Sequence, residues 1–250
     1  MTDLIFCADS HHRYGYYNES TFHTKSSAMI TIDSREIDID VGQDIWLTGN
    51  LTIPEGCQAL VIFSHGSGSS RHSVRNRFVA GYLNKHHIAT LLIDLLTREE
   101  DQENHNRFDI DLLTERLVSV TIYAHGLTAL SGCSIGLFGA STGAASALNA
   151  AARMGDMISA VVSRGGRPDL ATMDLDKVKA PVLLIVGSLD TEVIQLNKKV
   201  LKSLQSEKQI IIVEGASHLF EETGKLDEVA KLANDWFTTH LIKKVVVHKS

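Results

Sequence analysis

Residues 135–152, IGLFGASTGAASALNAAA, decide the fold. An apolar run of strand length, IGLF at 135–138, passes through Gly139-Ala140-Ser141-Thr142-Gly143 into an alanine-rich segment of helical composition. A Gly-x-Ser-x-Gly pentapeptide in that setting reads as a nucleophile elbow, a strand-to-helix turn so tight that the serine is held in a strained conformation and its hydroxyl stands clear of the sheet. Glycines on both sides, and small alanines afterwards, let the helix pack closely on the strand. The alternative reading is a tight small-residue turn with no chemistry.

Outward from this turn, short runs rich in Val, Ile and Leu alternate with longer helix-like segments, the pattern of a parallel sheet covered on both faces. The runs are LVIFS at 60–64, ATLLID at 89–94, IGLFGA at 135–140, AVVS at 160–163, PVLLIVG at 181–187 and IIIV at 210–213. AMITI at 28–32 and IWLTGNLTI at 45–53 precede them as an expected antiparallel start at one edge. Helices are expected over 72–85, 107–130, 142–154, 191–204 and 226–240. The prediction is an α/β-hydrolase fold with a mostly parallel sheet of about eight strands. Residues 164–180 are too few for an inserted cap, so the site should be open. Residues 1–26 show no periodicity and read as an arm or tail, leaving 27–250 as a single domain.

A serine hydroxyl needs a base to take its proton. His218 follows the last apolar run, in EGASHLF at 214–220, where a loop at the sheet's carboxyl edge can return to the elbow. The base in turn needs a carboxylate to fix its tautomer, and Asp190 in GSLD follows PVLLIV. Asp190 could instead cap the helix beginning near Thr191, and Asp169 is a rival acid. Backbone N–H groups must meet the developing oxyanion; Thr142 supplies one, and Ser67 in His65-Gly66-Ser67-Gly68-Ser69 is the choice for the other. That glycine-rich loop lacks the GKS or GKT ending of a P-loop and the GxGxxG spacing.

FSHGSGSS, GASTG, VGSLD and GASHLF, in this order, resemble the dienelactone hydrolase family within the α/β hydrolases, over roughly 51–241. The resemblance implies a small hydrolase without a large lid, with Ser141, Asp190 and His218 as nucleophile, acid and base. Dienelactone hydrolases proper carry cysteine as the nucleophile; the serine here makes carboxylesterase-like activity the expectation. Relatives with a similar HGSGSS segment can be fused to a phosphoribosyltransferase domain, for which this sequence shows no motif.

Arg71 and Arg75, one helical turn apart after the oxyanion loop, and Arg164 and Arg167, after AVVS, lie at the same expected edge. Arg71, Arg75 and Arg164 are candidates for an anionic substrate group, against the plainer reading of ion pairs with Asp94, Glu99, Glu100 or the carboxylates near Glu221.

At 250 residues, 44% apolar and 22% charged, the chain can bury one large core. A net charge of -6 supplies no basic field for nucleic acid. No apolar run reaches the ~18 residues of a membrane span, and the amino terminus lacks a signal-peptide pattern, so a cytoplasmic protein with no membrane partner is expected. Cys7, Cys57 and Cys133 fit neither a disulfide framework nor a zinc site, and the His11/His12 and His86/His87 pairs lack a ligand pattern. The expected enzyme needs no cofactor or metal, takes a small-molecule ester and is a monomer or homodimer. Acyl transfer, thioester or peptide hydrolysis through the same acyl-serine, and a non-catalytic binding protein of the same fold, are the alternatives.

Overall fold

A computed structural model describes residues 32–173 and 175–242. Eight strands form one sheet: β1 (Ile32–Asp40), β2 (Trp46–Pro54), β3 (Ala59–Ser64), β4 (Ile88–Ile93), β5 (Ser134–Ala140), β6 (Ile158–Arg164), β7 (Val182–Gly187) and β8 (Lys208–Val213). Their spatial order is β1-β2-β4-β3-β5-β6-β7-β8, and β2 alone runs against the others. Five helices cover the faces: α1 (Val74–Asn84), α2 (Ile110–His125), α3 (Gly143–Met154), α4 (Thr191–Ser203) and α5 (Lys225–Leu241). This is the expected α/β-hydrolase architecture.

The central strands are buried on both faces, which is why they read as continuous apolar runs. Residue parity sorts them into two cores. Leu60 and Ile62, Ile135 and Leu137, and Val182 and Leu184 pack with Leu117 of α2 and Leu148 of α3. Val61 and Phe63, Phe138 and Ala140, and Leu183 and Ile185 pack with Val79 and Leu83 of α1 and Trp236 and Phe237 of α5. Full burial of each such side chain is worth roughly 1.5–3 kcal/mol, so a one-residue register slip would exchange the two cores at large cost.

Strand order places the site. β3 has β4 on one side and β5 on the other, so the chain leaves β3 and β5 in opposite senses and their following loops meet at the carboxyl edge, where such sheets bind ligands. The expected first strand needs correction. The strand runs Ile32–Asp40 rather than 28–32, of which 28–31 lie outside the described residues. It is an edge strand in which only Ile39 is buried. The amino-terminal arm at 1–26, Cys7 and His11/His12 also lie outside the described residues. Among the described residues no helix is long and apolar enough to cross a membrane.

Candidate active site

Ser141 joins β5 to α3 with φ +51°, in the left-handed region that costs a side chain roughly 1–2 kcal/mol. Backbone bonds hold it there. Its N–H donates to Arg164 O at 3.3 Å, and its carbonyl accepts from Ala144 N at 3.1 Å and Arg167 N at 2.9 Å. The flanking glycines follow from close approach. A Cβ on Gly139 would lie 2.5 Å from Ala144 Cα, and one on Gly143 would lie 2.3 Å from Ser64 O. Gly66, in the loop after β3, passes so near that its Cβ would stand 2.9 Å from Ser141 Cβ.

His218 stands in the loop after β8, and its Nδ1 lies 2.6 Å from Asp190 Oδ2. Because an ionised carboxylate only accepts, the proton of this bond belongs to Nδ1, and neutral His218 presents Nε2 as a base. Asp190 does occupy the N-cap of α4, but its side chain makes no capping bond and goes to His218 instead. The rival Asp169 is engaged by Arg167 through two bonds of 2.9 Å. The loops carrying Asp190 and His218 are laced together: Ser188 N to Val213 O at 2.9 Å, Leu189 N to Ala216 O at 3.0 Å, and Gly215 N to Ser188 Oγ at 2.8 Å. A Cβ on Gly187 would meet Ala216 O at 2.2 Å, so this contact also requires glycine. Behind His218, Glu222 accepts the Ser217 N–H at 3.1 Å, and hydrogen bonding from the Ser217 side chain first, with backbone amides after it, holds its carboxyl below the usual range. His218 and Ser141 flank the end of β6: a Cβ on Gly165 would lie 3.6 Å from His218 Cε1, while the preceding Arg164 carbonyl holds Ser141.

Of the two expected oxyanion donors, the Thr142 amide begins the first turn of α3, where the helix dipole favours negative charge. The Ser67 N–H donates at 2.8 Å to Thr142 Oγ1, so that bond must be exchanged before this amide can serve an oxyanion.

The arginines separate. Arg71 is tied to Asp94 and Glu36, with Nη1 2.5 Å from Asp94 Oδ2 and Nη2 2.7 Å from Glu36 Oε2. Burial would lower its pKa, but these carboxylates more than offset that and raise it. Arg75 pairs with Glu221 at 2.8 Å, and Arg167 with Asp169. Arg71 thus forms the ion pair with Asp94 that the plainer reading anticipated, and it walls a groove of about 710 Å³ beside the β3 loop, together with His65, Trp46, Asp94 and Leu96. Arg164 is buried and pairs with no carboxylate among the described residues. Its partners Asn76 and Phe220 were missed in the sequence, although Phe220 lies two residues beyond His218 and Asn76 one beyond Arg75.

Residues 58–242 match the model of the dienelactone hydrolase family. A crystal structure of a dienelactone hydrolase from Anabaena variabilis superposes with a TM-score of 0.82 at 49% identity, covering 84% of this chain and 99% of that one. Est1E from Butyrivibrio proteoclasticus shares the fold, with a TM-score of 0.70 at 18% identity over 82% of this chain and 98% of its own. Two Mycobacterium tuberculosis proteins, provisionally named phosphoribosyl transferases, are 52% identical over 195 residues, 78% of this chain. The chain spans 44% of the length of each of these relatives. With three-quarters of its length matched by the family model and 49% identity over 84% of the chain to a dienelactone hydrolase of the same fold, the chain belongs to the dienelactone hydrolase family.

Proposed function

We propose that the protein is a serine hydrolase that cleaves an ester of a small molecule through an acyl-serine intermediate. The observation that carries this reading is the 2.6 Å bond from His218 Nδ1 to Asp190 Oδ2 at the edge where Ser141 is held at φ +51°. In the proposed cycle His218 Nε2 takes the Ser141 hydroxyl proton as Oγ attacks the acyl carbon. Asp190 stabilises the imidazolium, which then returns the proton to the leaving alcohol. The oxyanion is met by the Thr142 N–H and by the Ser67 N–H, released from Thr142 Oγ1. Water, activated by the same histidine, frees the acid and regenerates Ser141.

The family name and the esterase neighbours support ester hydrolysis in general. The name of the mycobacterial relatives points elsewhere, to phosphoribosyl transfer. It attaches to proteins of which this chain spans 44%, and a serine–histidine–carboxylate arrangement serves acyl chemistry. Covalent labelling by a fluorophosphonate, located by mass spectrometry, tests the proposal alongside turnover of short activated esters. Labelling at Ser141, lost together with turnover in Ser141→Ala and His218→Ala, is the expected result. A folded wild type with neither labelling nor turnover would leave a binding protein of this fold as the better reading.

A further inference from the structure

In β6, parity puts Ala160 and Val162 on the α1/α5 face, and Arg164 ends that column. The side chain is buried, with 5% of the residue exposed, and reaches the first turn of α1, where Nη2 donates to Asn76 Oδ1 at 3.2 Å. Its Nε is buried with no acceptor among the described residues, and its Cζ lies 6.0 Å from the centre of the Phe220 ring. Burial, and secondarily the charge of Arg75, push the Arg164 guanidinium down to about 10. Arg75 also has a buried Nε without an acceptor among the described residues, and the carboxylate it meets, Glu221, is 62% exposed.

These cations stand against the wrong end of a helix. The first turn of α1 carries no acidic residue and two arginines, Arg75 and Arg77, where the helix dipole favours Asp or Glu. Ser73 Oγ caps the Asn76 N–H at 3.3 Å, and the Val74 and Arg75 amides stand at the open end. Two guanidinium groups and a positive helix end, paired among the described residues with one surface carboxylate, form a positive corner that an anion would complete. The corner adjoins the nucleophile, since the Arg164 carbonyl accepts the Ser141 N–H at 3.3 Å and Phe220 follows His218 by two residues.

We propose that Arg164, Arg75 and the amino end of α1 form a subsite for a phosphate group carried by the substrate as a handle beside the ester that Ser141 attacks. The proposal rests on the hydrolase reading above. Phosphate fits better than carboxylate because the donors come from different elements, Arg164 from the strand and Arg75 with the amides from the helix. A tetrahedral dianion can use all of them and balance two cations, whereas a planar carboxylate is satisfied by one guanidinium fork.

Anion binding can be read without catalysis. Thermal unfolding and calorimetry of the full chain are followed against inorganic phosphate and, separately, acetate, at constant ionic strength. The expected result is a saturable rise in Tm with phosphate, at least fivefold weaker binding of acetate, and loss of the phosphate effect in Arg164→Met. Without phosphate, Arg164→Met is expected to unfold at no lower temperature than the wild type, because Met replaces a buried, poorly satisfied charge. Should that variant fail to fold, Arg75→Gln, at a half-exposed position, carries the test through at least fivefold weaker phosphate binding. Acetate binding as tightly as phosphate would overturn the phosphate assignment. No effect of either anion on a wild type that labels at Ser141 would overturn the subsite and leave the hydrolase reading standing. Phosphate binding that needs Arg164, in a protein that does not label, would keep the subsite and remove the hydrolase.

Discussion

The Ser67 amide donates its proton to Thr142 Oγ1 at 2.8 Å, tying the loop after β3 to the residue that follows Ser141. The bond holds in register two backbone segments whose amides are both proposed to meet the oxyanion. Thr142→Val removes the acceptor but keeps the shape, leaving the Ser67 N–H unpartnered and the loop free to drift. A misplaced oxyanion donor costs rate rather than affinity, so kcat is expected to fall about tenfold or more with KM little changed. Thr142→Ser should restore most of it. Steady-state kinetics on an activated ester check this, and a rise in KM at unchanged kcat would assign Thr142 to substrate binding instead.

Glycines around the elbow differ in what stands beside them, and the difference predicts stability. An added Cβ at Gly143 meets Ser64 O at 2.3 Å and at Gly139 meets Ala144 Cα at 2.5 Å, both backbone atoms that cannot swing aside. Gly139→Ala and Gly143→Ala are expected to lose about 1–3 kcal/mol or more. Gly81, inside α1, has nothing within 4 Å of its added Cβ, so Gly81→Ala should gain roughly 0.5–1 kcal/mol. Denaturant unfolding of the three variants separates close approach from helix propensity.

Ser141 itself holds strain. At φ +51° any Cβ is disfavoured, so Ser141→Gly should be more stable than Ser141→Ala by about 1 kcal/mol, although both lose the proposed nucleophile. Equal stabilities would mean that the bonds to Arg164, Ala144 and Arg167 do not hold the left-handed turn once the hydroxyl is gone.

Much of this arrangement was legible in the sequence. The buried strands announce themselves because both faces are apolar, and the elbow because Gly139 and Gly143 bracket Ser141. The edge strand was not, since only Ile39 of IDSREIDID is buried and the stronger apolar run in the sequence is the adjoining AMITI. The helix expected over 107–130 is shorter, Ile110–His125, because Asp109 Oδ1 caps the Leu112 N–H at 2.9 Å and Gly126 ends it. Those two signals stand in the sequence and outrank periodicity. What no local pattern carries is the choice among arginines. Arg71 finds Asp94 from the end of β4 and Glu36 from β1, whereas Arg164 finds no carboxylate among the described residues, and only the sheet order decides which.

Cys133 lies beside Cys57, its Sγ 3.9 Å from the Cys57 carbonyl, at the sheet edge opposite the site. Burial, with the neighbouring Cys57 adding to it, pushes the Cys133 thiol up to about 11. An unfolded cysteine ionises near 8.5, so between about pH 8.5 and about 11 the unfolded chain releases this proton while the folded chain keeps it. The folded state is therefore increasingly disfavoured as pH rises through that window, and Cys133→Ser should flatten the decline. Alkylation by iodoacetamide, followed by mass spectrometry, is expected to be slow at Cys133 at pH 8 and to quicken toward pH 11. Fast labelling at pH 8 would contradict the burial.

Asp190 offers a sharper separation of roles, because it sits where a capping residue would sit. A carboxylate that caps a helix loses about 1 kcal/mol on replacement by alanine, but the Asp190 side chain makes no such bond and contacts His218 Nδ1 at 2.6 Å. Asp190→Ala should therefore cost little in unfolding free energy, under about 0.5 kcal/mol. Asp190→Asn keeps the shape but lets His218 settle in the wrong tautomer, and its kcat is expected to fall by roughly 10³–10⁴. Chemical denaturation and ester turnover on the same preparations decide the matter. A variant destabilised by 1 kcal/mol but still active would make Asp190 a cap and leave His218 without its orienting acid.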